Sequence, residues 1–152
     1  MCGLPASGKT TAARHIAENL GAVRLCPDEW MAALDIDFYD GATRERLEVQ
    51  FWGLAQELLQ RGICVVLESG FWLRSDREEK LTGARRLGVA VEIHFLDVPF
   101  DELWRRIERR NVESGWGTVP IVRSDLEKWA SLFQAPDPHE LALFDPPSRR
   151  DF

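Results

Sequence analysis

The residues whose types and spacing best fit a chemical role stand at the start of the sequence, in the run Gly3-Leu4-Pro5-Ala6-Ser7-Gly8-Lys9-Thr10. Two glycines flank four residues and precede lysine and threonine, which is the Walker A pattern. Glycine permits backbone conformations that a Cβ would obstruct, so such a loop can point its N–H groups at a polyphosphate. A helix that begins at Lys9 or Thr10 adds free N–H groups and a positive end. The sequence therefore predicts a nucleotide site formed by Gly3, Leu4, Pro5, Ala6, Ser7, Gly8, Lys9, Thr10 and Thr11; the alternative is an ordinary glycine-containing turn.

ATP and Mg²⁺ are the cofactors that this loop predicts. Lys9 can reach the β- and γ-phosphate oxygens, and the Thr10 hydroxyl can ligate the metal. A second metal contact is predicted at Glu68, which ends the apolar run of residues 63–67 and resembles a Walker B acid. Glu68 would hold a water bound to Mg²⁺. The alternative is that Glu68 is a strand-end carboxylate that caps the next turn.

Asp28 is the predicted catalytic carboxylate. It follows the short apolar run of residues 22–26 and Pro27. Asp28 should therefore lie just past the carboxyl end of a strand, where α/β enzymes place their chemistry. An exposed carboxylate can accept the proton of an attacking hydroxyl at neutral pH. The competing interpretation is that Asp28 caps a helix over residues 29–34.

Alternating apolar runs and amphipathic segments supply the elements that position these residues. Strands are predicted at 22–26, 63–67 and 89–96, with a short last strand at 140–144. Helices are predicted at 10–20, from Thr43 to Gly62, over 99–111, and after capping boxes that begin at Ser75 and Ser124. This order predicts an α/β fold with a mostly parallel sheet and helices on both faces.

Composition limits the class of protein. With 152 residues, 45% hydrophobic and 29% charged, the sequence is typical of a single domain with one core. The net charge of −6 argues against nonspecific nucleic-acid binding, although it is compatible with a local basic patch. Three scattered cysteines lack metal-ligand spacing, and no apolar run approaches the ~20 residues that span a bilayer. We expect a cytoplasmic protein that does not associate with membranes.

Several motifs together resemble the small P-loop kinases, a family that includes polynucleotide 5'-kinase, zeta-type toxins and chloramphenicol phosphotransferase. They are GLPASGKT, the acid in CPDEW, the strand ICVVLE and the segment FLDVPFDELWRRIERRN, and the resemblance covers nearly the whole chain. It implies a P-loop NTPase fold like that of nucleoside monophosphate kinases. It also implies that Asp28 is the general base, and that Arg106 and Arg110 hold phosphates beside a lid at about 111–124. Polynucleotide kinases carry arginine three residues after this aspartate, where the chain has Met31, so the resemblance does not extend to a substrate-phosphate contact there.

The two arginines of this helix have a second interpretation. Arg106 and Arg110 are four residues apart, so they share one helix face and can converge on one anion. The alternative is a solvated helix face on which they alternate with Glu102 and Glu108.

Other residues near predicted strand ends are also ambiguous. Arg74 and Arg77 follow the 63–67 strand and could bind substrate or phosphate, or pair with neighbouring acids on the surface. Trp30 and Trp72 could form a flat wall for the phosphate acceptor, although core packing is the better-supported role.

The features together predict an ATP-dependent kinase that phosphorylates a hydroxyl on a small molecule. Phosphoryl transfer asks a protein for positioning, charge neutralisation and a base near the hydroxyl. A 5'-hydroxyl polynucleotide kinase is the alternative in the same class, and the acidic charge and Met31 disfavour it. A nucleotide-binding or NTPase switch without phosphotransfer is the alternative in a different class.

One expected element is largely missing from the sequence. A P-loop follows the carboxyl end of a strand, but only Met1 and Cys2 precede Gly3, whereas an average strand has about 5–6 residues. In the P-loop fold that the chain resembles, that strand lies at the sheet centre, between the strands predicted here at 63–67 and 89–96. We expect the native chain to carry roughly four to eight further apolar residues ahead of Met1; the alternative is a two-residue strand. The tail from Pro146 is expected to be frayed.

Overall fold

The computed structural model describes residues 1–113 and 119–147. Two strands, β1 (Val23–Leu25) and β2 (Val65–Leu67), pair in parallel, with Val23 beside Val65 and Leu25 beside Leu67. Helices lie before, between and after them, so the α/β fold with a parallel sheet is confirmed. Both strands fall inside the predicted runs of 22–26 and 63–67, and both are rich in Val and Leu, as buried parallel strands are.

Cys2 continues the sheet on the other side of β2. It forms isolated parallel bridges with Gly70 and with Phe95, and therefore lies between the two segments that carry them. Cys2 N donates to His94 O at 2.9 Å, and Leu96 N donates to Cys2 O at 2.9 Å. The short segment Met1-Cys2 thus occupies the position that was predicted for a central strand.

The predicted strand at 89–96 is wrong for most of its length. Residues 89–94 adopt no regular structure, and only Phe95 takes part in a bridge. A strand is maintained by hydrogen bonds to a neighbour. Here the neighbour consists of Met1 and Cys2, so the ladder extends no further than the residues opposite them.

The part of the chain that the structure describes contains seven helices. They are α1 Lys9–Leu20, α2 Pro27–Ala33, α3 Gly41–Gln60, α4 Arg74–Arg86, α5 Phe100–Glu113, α6 Arg123–Leu132 and α7 Pro138–Leu141.

 α1 and α3 begin and end within about two residues of the predicted positions, the usual uncertainty of a helix end.

Both predicted capping boxes are wrong in detail. α4 begins at Arg74 after Leu73, and α6 begins at Arg123 after Val122, and neither preceding residue caps its helix with a side chain. Ser75 and Ser124 therefore lie inside the first turn, each two residues after the N-cap position, too late to serve as the cap.

The predicted last strand at 140–144 is also wrong, because a single helical turn, α7, begins there instead. The Asp137 side chain accepts a hydrogen bond from Glu140 N at 2.8 Å, and Pro138 occupies the first helical position. An aspartate cap followed by proline is a typical helix start, and this local signal outweighs the apolar run after it.

Three apolar clusters form the core. Their buried members are Met1, Ala13, Ile16 and Val66; Leu103, Ile107, Ile121 and Leu126; and Leu25, Phe51 and Ala55. The first joins α1 to β2, the second joins α5 to α6, and the third joins α3 to β1. Each large side chain buried in this way stabilises the fold by about 1.5–3 kcal/mol, so the elements that carry the candidate site are held firmly in place.

The predicted lid at about 111–124 is described only at its two ends. Residues 114–118 of this segment and residues 148–152 of the predicted frayed tail lie outside the described residues. The Asn111 amide bonds both backbone groups of Ile121, with Nδ2 donating to Ile121 O at 2.8 Å. The end of α5 is thereby held against the residues that precede α6.

Within the described ranges, no helix is long and apolar enough to cross a membrane.

Candidate phosphate-binding site

The loop before α1 has the backbone that the glycines predict. Gly3 has φ 146°, Ala6 has φ 62° and Gly8 has φ 99°, so three of its residues lie in the region that L-amino acids rarely adopt. A Cβ on Gly3 would lie 3.0 Å from Leu96 O and 3.0 Å from Ser7 Oγ. Glycine is therefore required at position 3 both for its conformation and for the close approach of the backbone.

Donors at the start of α1 are available to an anion. α1 begins at Lys9, as predicted, and the backbone bond from Ala12 N to Gly8 O at 3.1 Å closes its first turn. The N–H groups of the residues within that turn have no intrahelical partner. Ser7 Oγ is buried and has no hydrogen-bond partner among the described residues. A buried hydroxyl without a partner is costly, and a phosphate oxygen would satisfy it.

Lys9 lies over this loop. Its Nζ donates to Leu4 O at 2.7 Å, a neutral carbonyl that supplies no negative charge. Burial lowers the pKa of Lys9, while the nearby carboxylates of Asp28 and Glu68 act in the opposite direction. An anionic phosphate beside Lys9 would compensate the buried charge.

Thr10 and Glu68 meet at the predicted metal position. Thr10 Oγ1 donates to Glu68 Oε1, and Arg24 Nη1 lies 2.6 Å from Glu68 Oε2. The Glu68 side chain is only 4% exposed. It bonds two side chains rather than the backbone of the next turn, so the structure does not support the interpretation of Glu68 as a turn cap.

This pair of oxygens fits a hard cation. Mg²⁺ prefers oxygen ligands and is commonly held by one or two protein groups together with phosphates and water. Thr10 and Glu68 are such groups and lie beside the phosphate loop. No cluster of three or more His, Cys, Asp or Glu residues that could hold a metal by itself occurs in the described ranges. The arrangement therefore suits a metal that arrives with a nucleotide.

Arg24 was missed by sequence reasoning. It is the middle residue of β1, and its guanidinium bonds both Glu68 and Glu29. Burial opposes its charge, but the hydrogen bonds to these two carboxylates raise the pKa of Arg24 above its usual value. A charged residue inside a short apolar strand is the signal that could have identified it. Arg24 links the predicted metal ligand to the helix that carries Asp28.

Asp28 lies in the first turn of α2, whose N-cap is Cys26, so the interpretation of Asp28 as the cap is wrong. The Asp28 side chain is 58% exposed, and its Oδ1 lies 2.6 Å from Arg44 Nη1 in the first part of α3. Sequence reasoning also missed Arg44. The one feature of the sequence that could have singled out Arg44 is that it lies four residues before Glu48, on the same face of the helix.

The two predicted phosphate-binding arginines are placed differently. Arg106 donates from Nη1 to Ala6 O in the loop at 3.3 Å and from Nε to Glu102 Oε1 at 2.7 Å. It therefore reaches the phosphate loop across a large separation in sequence. Arg110 is exposed on the same helix and does not join these residues.

The remaining candidates have structural roles in this arrangement. Arg77 is buried against Glu140, so its prediction as a surface ion pair with neighbouring acids is wrong. Arg74 pairs with Glu78 on the surface. Trp30 is 48% exposed and packs edge-on against Phe51. Trp72 packs against Trp129, with ring centroids 6.0 Å apart.

A loop that leads from Cys2, which is bridged into the parallel sheet, to the start of α1, with lysine and threonine at its end, defines a P-loop nucleotide-binding domain. The chain belongs to the AAA domain family AAA_33, which matches residues 1–147. This confirms the resemblance to small P-loop kinase-like proteins. Kti12 from Chaetomium thermophilum, crystallised in complex with ADP-AlF3, has a similar structure, with a TM-score of 0.72 and 19% sequence identity. The similarity covers 95% of this chain and 84% of that one. No curated protein matches the chain.

Proposed function

We propose that the protein is an ATP-dependent kinase that transfers the γ-phosphate to a hydroxyl of a small molecule. The observation that carries the proposal is the position of Asp28. Its carboxylate is exposed. Burial lowers the pKa of Lys9, and the negative charge of Asp28 opposes that fall, so the two side chains lie within electrostatic reach of each other. A carboxylate beside a phosphate loop is what a kinase needs to accept the proton of an attacking hydroxyl.

Each of the residues near the loop would have a different role in phosphoryl transfer. The loop N–H groups and Ser7 hold the phosphates in place, and Lys9 neutralises their charge. Thr10 and Glu68 would hold the Mg²⁺, which supplies further charge neutralisation when it is bound with ATP. Arg106, anchored on Glu102, places a guanidinium beside the loop, where negative charge develops in the transition state.

Asp28 would act on the acceptor. The acceptor oxygen forms a bond to the γ-phosphorus as the bond from that phosphorus to the β-γ bridging oxygen breaks, and ADP leaves. The proton of the acceptor hydroxyl passes to a carboxylate oxygen of Asp28. Arg44 bonds the same carboxylate and would keep it oriented.

The similarity to Kti12 supports an adenine nucleotide, since that protein was crystallised with ADP-AlF3. The net charge of −6 disfavours a polyanionic acceptor such as an oligonucleotide.

The proposal is tested by coupled release of ADP from Mg-ATP in the presence of a panel of hydroxyl compounds, which includes nucleosides, sugars, antibiotics and a 5'-hydroxyl oligonucleotide. We expect one class of small molecule to increase the rate, and Lys9→Ala to abolish that increase. Lys128→Ala, on the exposed face of α6, is the matched control and should have no effect. Stimulation by the oligonucleotide alone would indicate a polynucleotide kinase. ADP release that no acceptor increases, and that Lys9→Ala still abolishes, would indicate an NTPase switch.

A further inference from the structure

Arg24 is the charged residue of the paired strands β1 and β2, and it lies on the face of the sheet that α1 covers. In the register of the sheet Arg24 is paired with Val66, and side chains at paired positions lie on the same face. Val66 belongs to the same core cluster as Ala13 and Ile16 of α1. The Arg24 side chain therefore extends between the sheet and α1, where it is only 15% exposed.

Two carboxylates hold the guanidinium of Arg24 in this place. Its Nη1 lies 2.6 Å from Glu68 Oε2 at the end of β2, and its Nη2 donates to Glu29 Oε2 in α2. Glu29 also accepts from Arg14 Nη2 at 2.7 Å, on the more exposed side of this network. Bonds from one planar group to two different elements fix the position of its positive charge.

Both oxygens of Glu68 accept a bond in this arrangement. Thr10 Oγ1 donates to Oε1, and Arg24 Nη1 donates to Oε2. The Glu68 side chain is buried, so its negative charge needs a counter-charge from the protein. Lys9 is another cation in this region, but its Nζ donates to Leu4 O and not to Glu68. Arg24 therefore supplies the counter-charge.

This counter-charge affects the metal position that Thr10 and Glu68 would form. A divalent cation held there would share the Glu68 carboxylate with a guanidinium, and like charges at such short range repel each other even where they are screened. The charges of Glu68 and Arg24 also cancel, so the position attracts a free cation only weakly. A nucleoside triphosphate would change this balance, because its phosphates bring several negative charges to the metal.

We propose that Arg24 is a positioning residue that makes the metal position depend on the nucleotide. It holds Glu68 in place and compensates its charge, so that a divalent cation binds at Thr10 and Glu68 only together with the phosphates. The inference rests on the nucleotide and metal binding of the proposed function, and it is independent of the acceptor and of phosphoryl transfer.

The test measures the binding of Mn²⁺, which takes the same oxygen ligands as Mg²⁺, to the full chain. Free Mn²⁺ is followed by electron paramagnetic resonance, with and without the non-hydrolysable imido analogue of ATP. We expect the parent chain to bind Mn²⁺ tightly only with the analogue. Arg24→Met should bind Mn²⁺ without the analogue at least about tenfold more tightly than the parent chain, because the repulsion is removed and Glu68 has lost its counter-charge.

Three further variants are the controls. Glu68→Gln added to Arg24→Met should abolish the new site, which distinguishes it from Mn²⁺ bound elsewhere on an acidic surface. Arg24→Lys keeps the charge and should behave as the parent chain does. Arg14→Met removes a cation that pairs with Glu29 and not with Glu68, so it should leave Mn²⁺ binding unchanged. If Arg24→Met does not fold, Arg24→Gln takes its place, since it keeps an N–H donor for Glu68 without the charge.

Two results would overturn the proposal. One is equal Mn²⁺ affinity of the parent chain and the neutral Arg24 variants without the analogue, which would make Arg24 a purely structural partner of Glu68. The other is tight binding of Mn²⁺ to the parent chain without the analogue, if Glu68→Gln abolishes it. ADP release that no acceptor increases would refute the kinase proposal, but it would leave the comparison of Mn²⁺ affinities unaffected.

Discussion

The carboxylate of Asp28 and the guanidinium of Arg44 lie 2.6 Å apart and join the first turn of α2 to the first part of α3. Arg44 also lies over the ring of Phe38, 5.4 Å from its centroid. Because Phe38 packs against the core cluster of α5 and α6, the side chain that holds Asp28 is itself supported. The contact fixes the orientation of an exposed carboxylate that would otherwise rotate freely.

Asp28→Asn should retain ATP binding and lower acceptor phosphorylation by roughly two to four orders of magnitude, the usual size of a general-base contribution. The amide keeps an oxygen for Arg44 but cannot take the proton. The measurements are nucleotide affinity and acceptor-dependent ADP release. Asp101→Asn, whose carboxylate is 87% exposed on α5, is the control. Normal turnover of the Asp28 variant would show that Asp28 has only a structural role, in the first turn of α2.

Arg106→Ala should lower kcat by roughly a hundredfold, with a much smaller change in ATP affinity, because its guanidinium would be used most fully in the transition state. Arg105→Ala is a close control, since Arg105 is on the same helix and also pairs with Glu102, but is 74% exposed. Steady-state kinetics and nucleotide titration separate the two effects. Equal losses in kcat and affinity would assign Arg106 to ground-state binding.

Glu48 should make stability depend on pH. Burial raises the pKa of Glu48 from 4.5 to about 7, with Arg44 opposing and Asp76 and Asp28 reinforcing the shift. The folded state therefore binds more protons than the unfolded state between these values, and stability falls as pH rises from about 4.5 to about 7. The loss is at most on the order of 3 kcal/mol, at about 1.4 kcal/mol per pKa unit.

Urea unfolding at a series of pH values measures this effect. Glu48→Gln should remove most of the decline, whereas Glu45→Gln, exposed on the same helix, should preserve it. An unchanged pH profile in the Glu48 variant would show that another group is responsible.

The buried pair of Arg77 and Glu140 should be sensitive to the loss of one partner. Both side chains are 2% exposed, and Arg77 also donates to Phe71 O at 2.9 Å. Arg77→Met leaves a buried carboxylate without its partner and should destabilise the protein by about 3–5 kcal/mol. The double variant with Glu140→Leu should recover part of that loss. Arg86→Met on the same helix is the exposed control, and a double variant no more stable than the single one would contradict this account.

Local patterns in the sequence were sufficient to predict the phosphate loop, the start of α1 and the order of α1, β1, α3 and β2. Glycine conformation, helix start signals and apolar periodicity act over a few residues, so they can be interpreted without the rest of the chain. The same reasoning failed at 89–96 and at 140–144. At 89–96 only Phe95 is bridged, to Cys2, and at 140–144 the cap at Asp137 starts a helix instead.

The sequence by itself therefore determined the class of the site, with Lys9, Thr10 and the loop glycines, and an acid after each of two strands. Only the tertiary structure decided which charges meet. Arg24 and Glu68 are 44 residues apart, and Arg77 and Glu140 are 63 apart. Neither pairing could be predicted from local sequence, because the partner of each arginine depends on how separate elements pack. Burial then makes such pairs strong, since a charge removed from water must be compensated by the partner that packing brings to it.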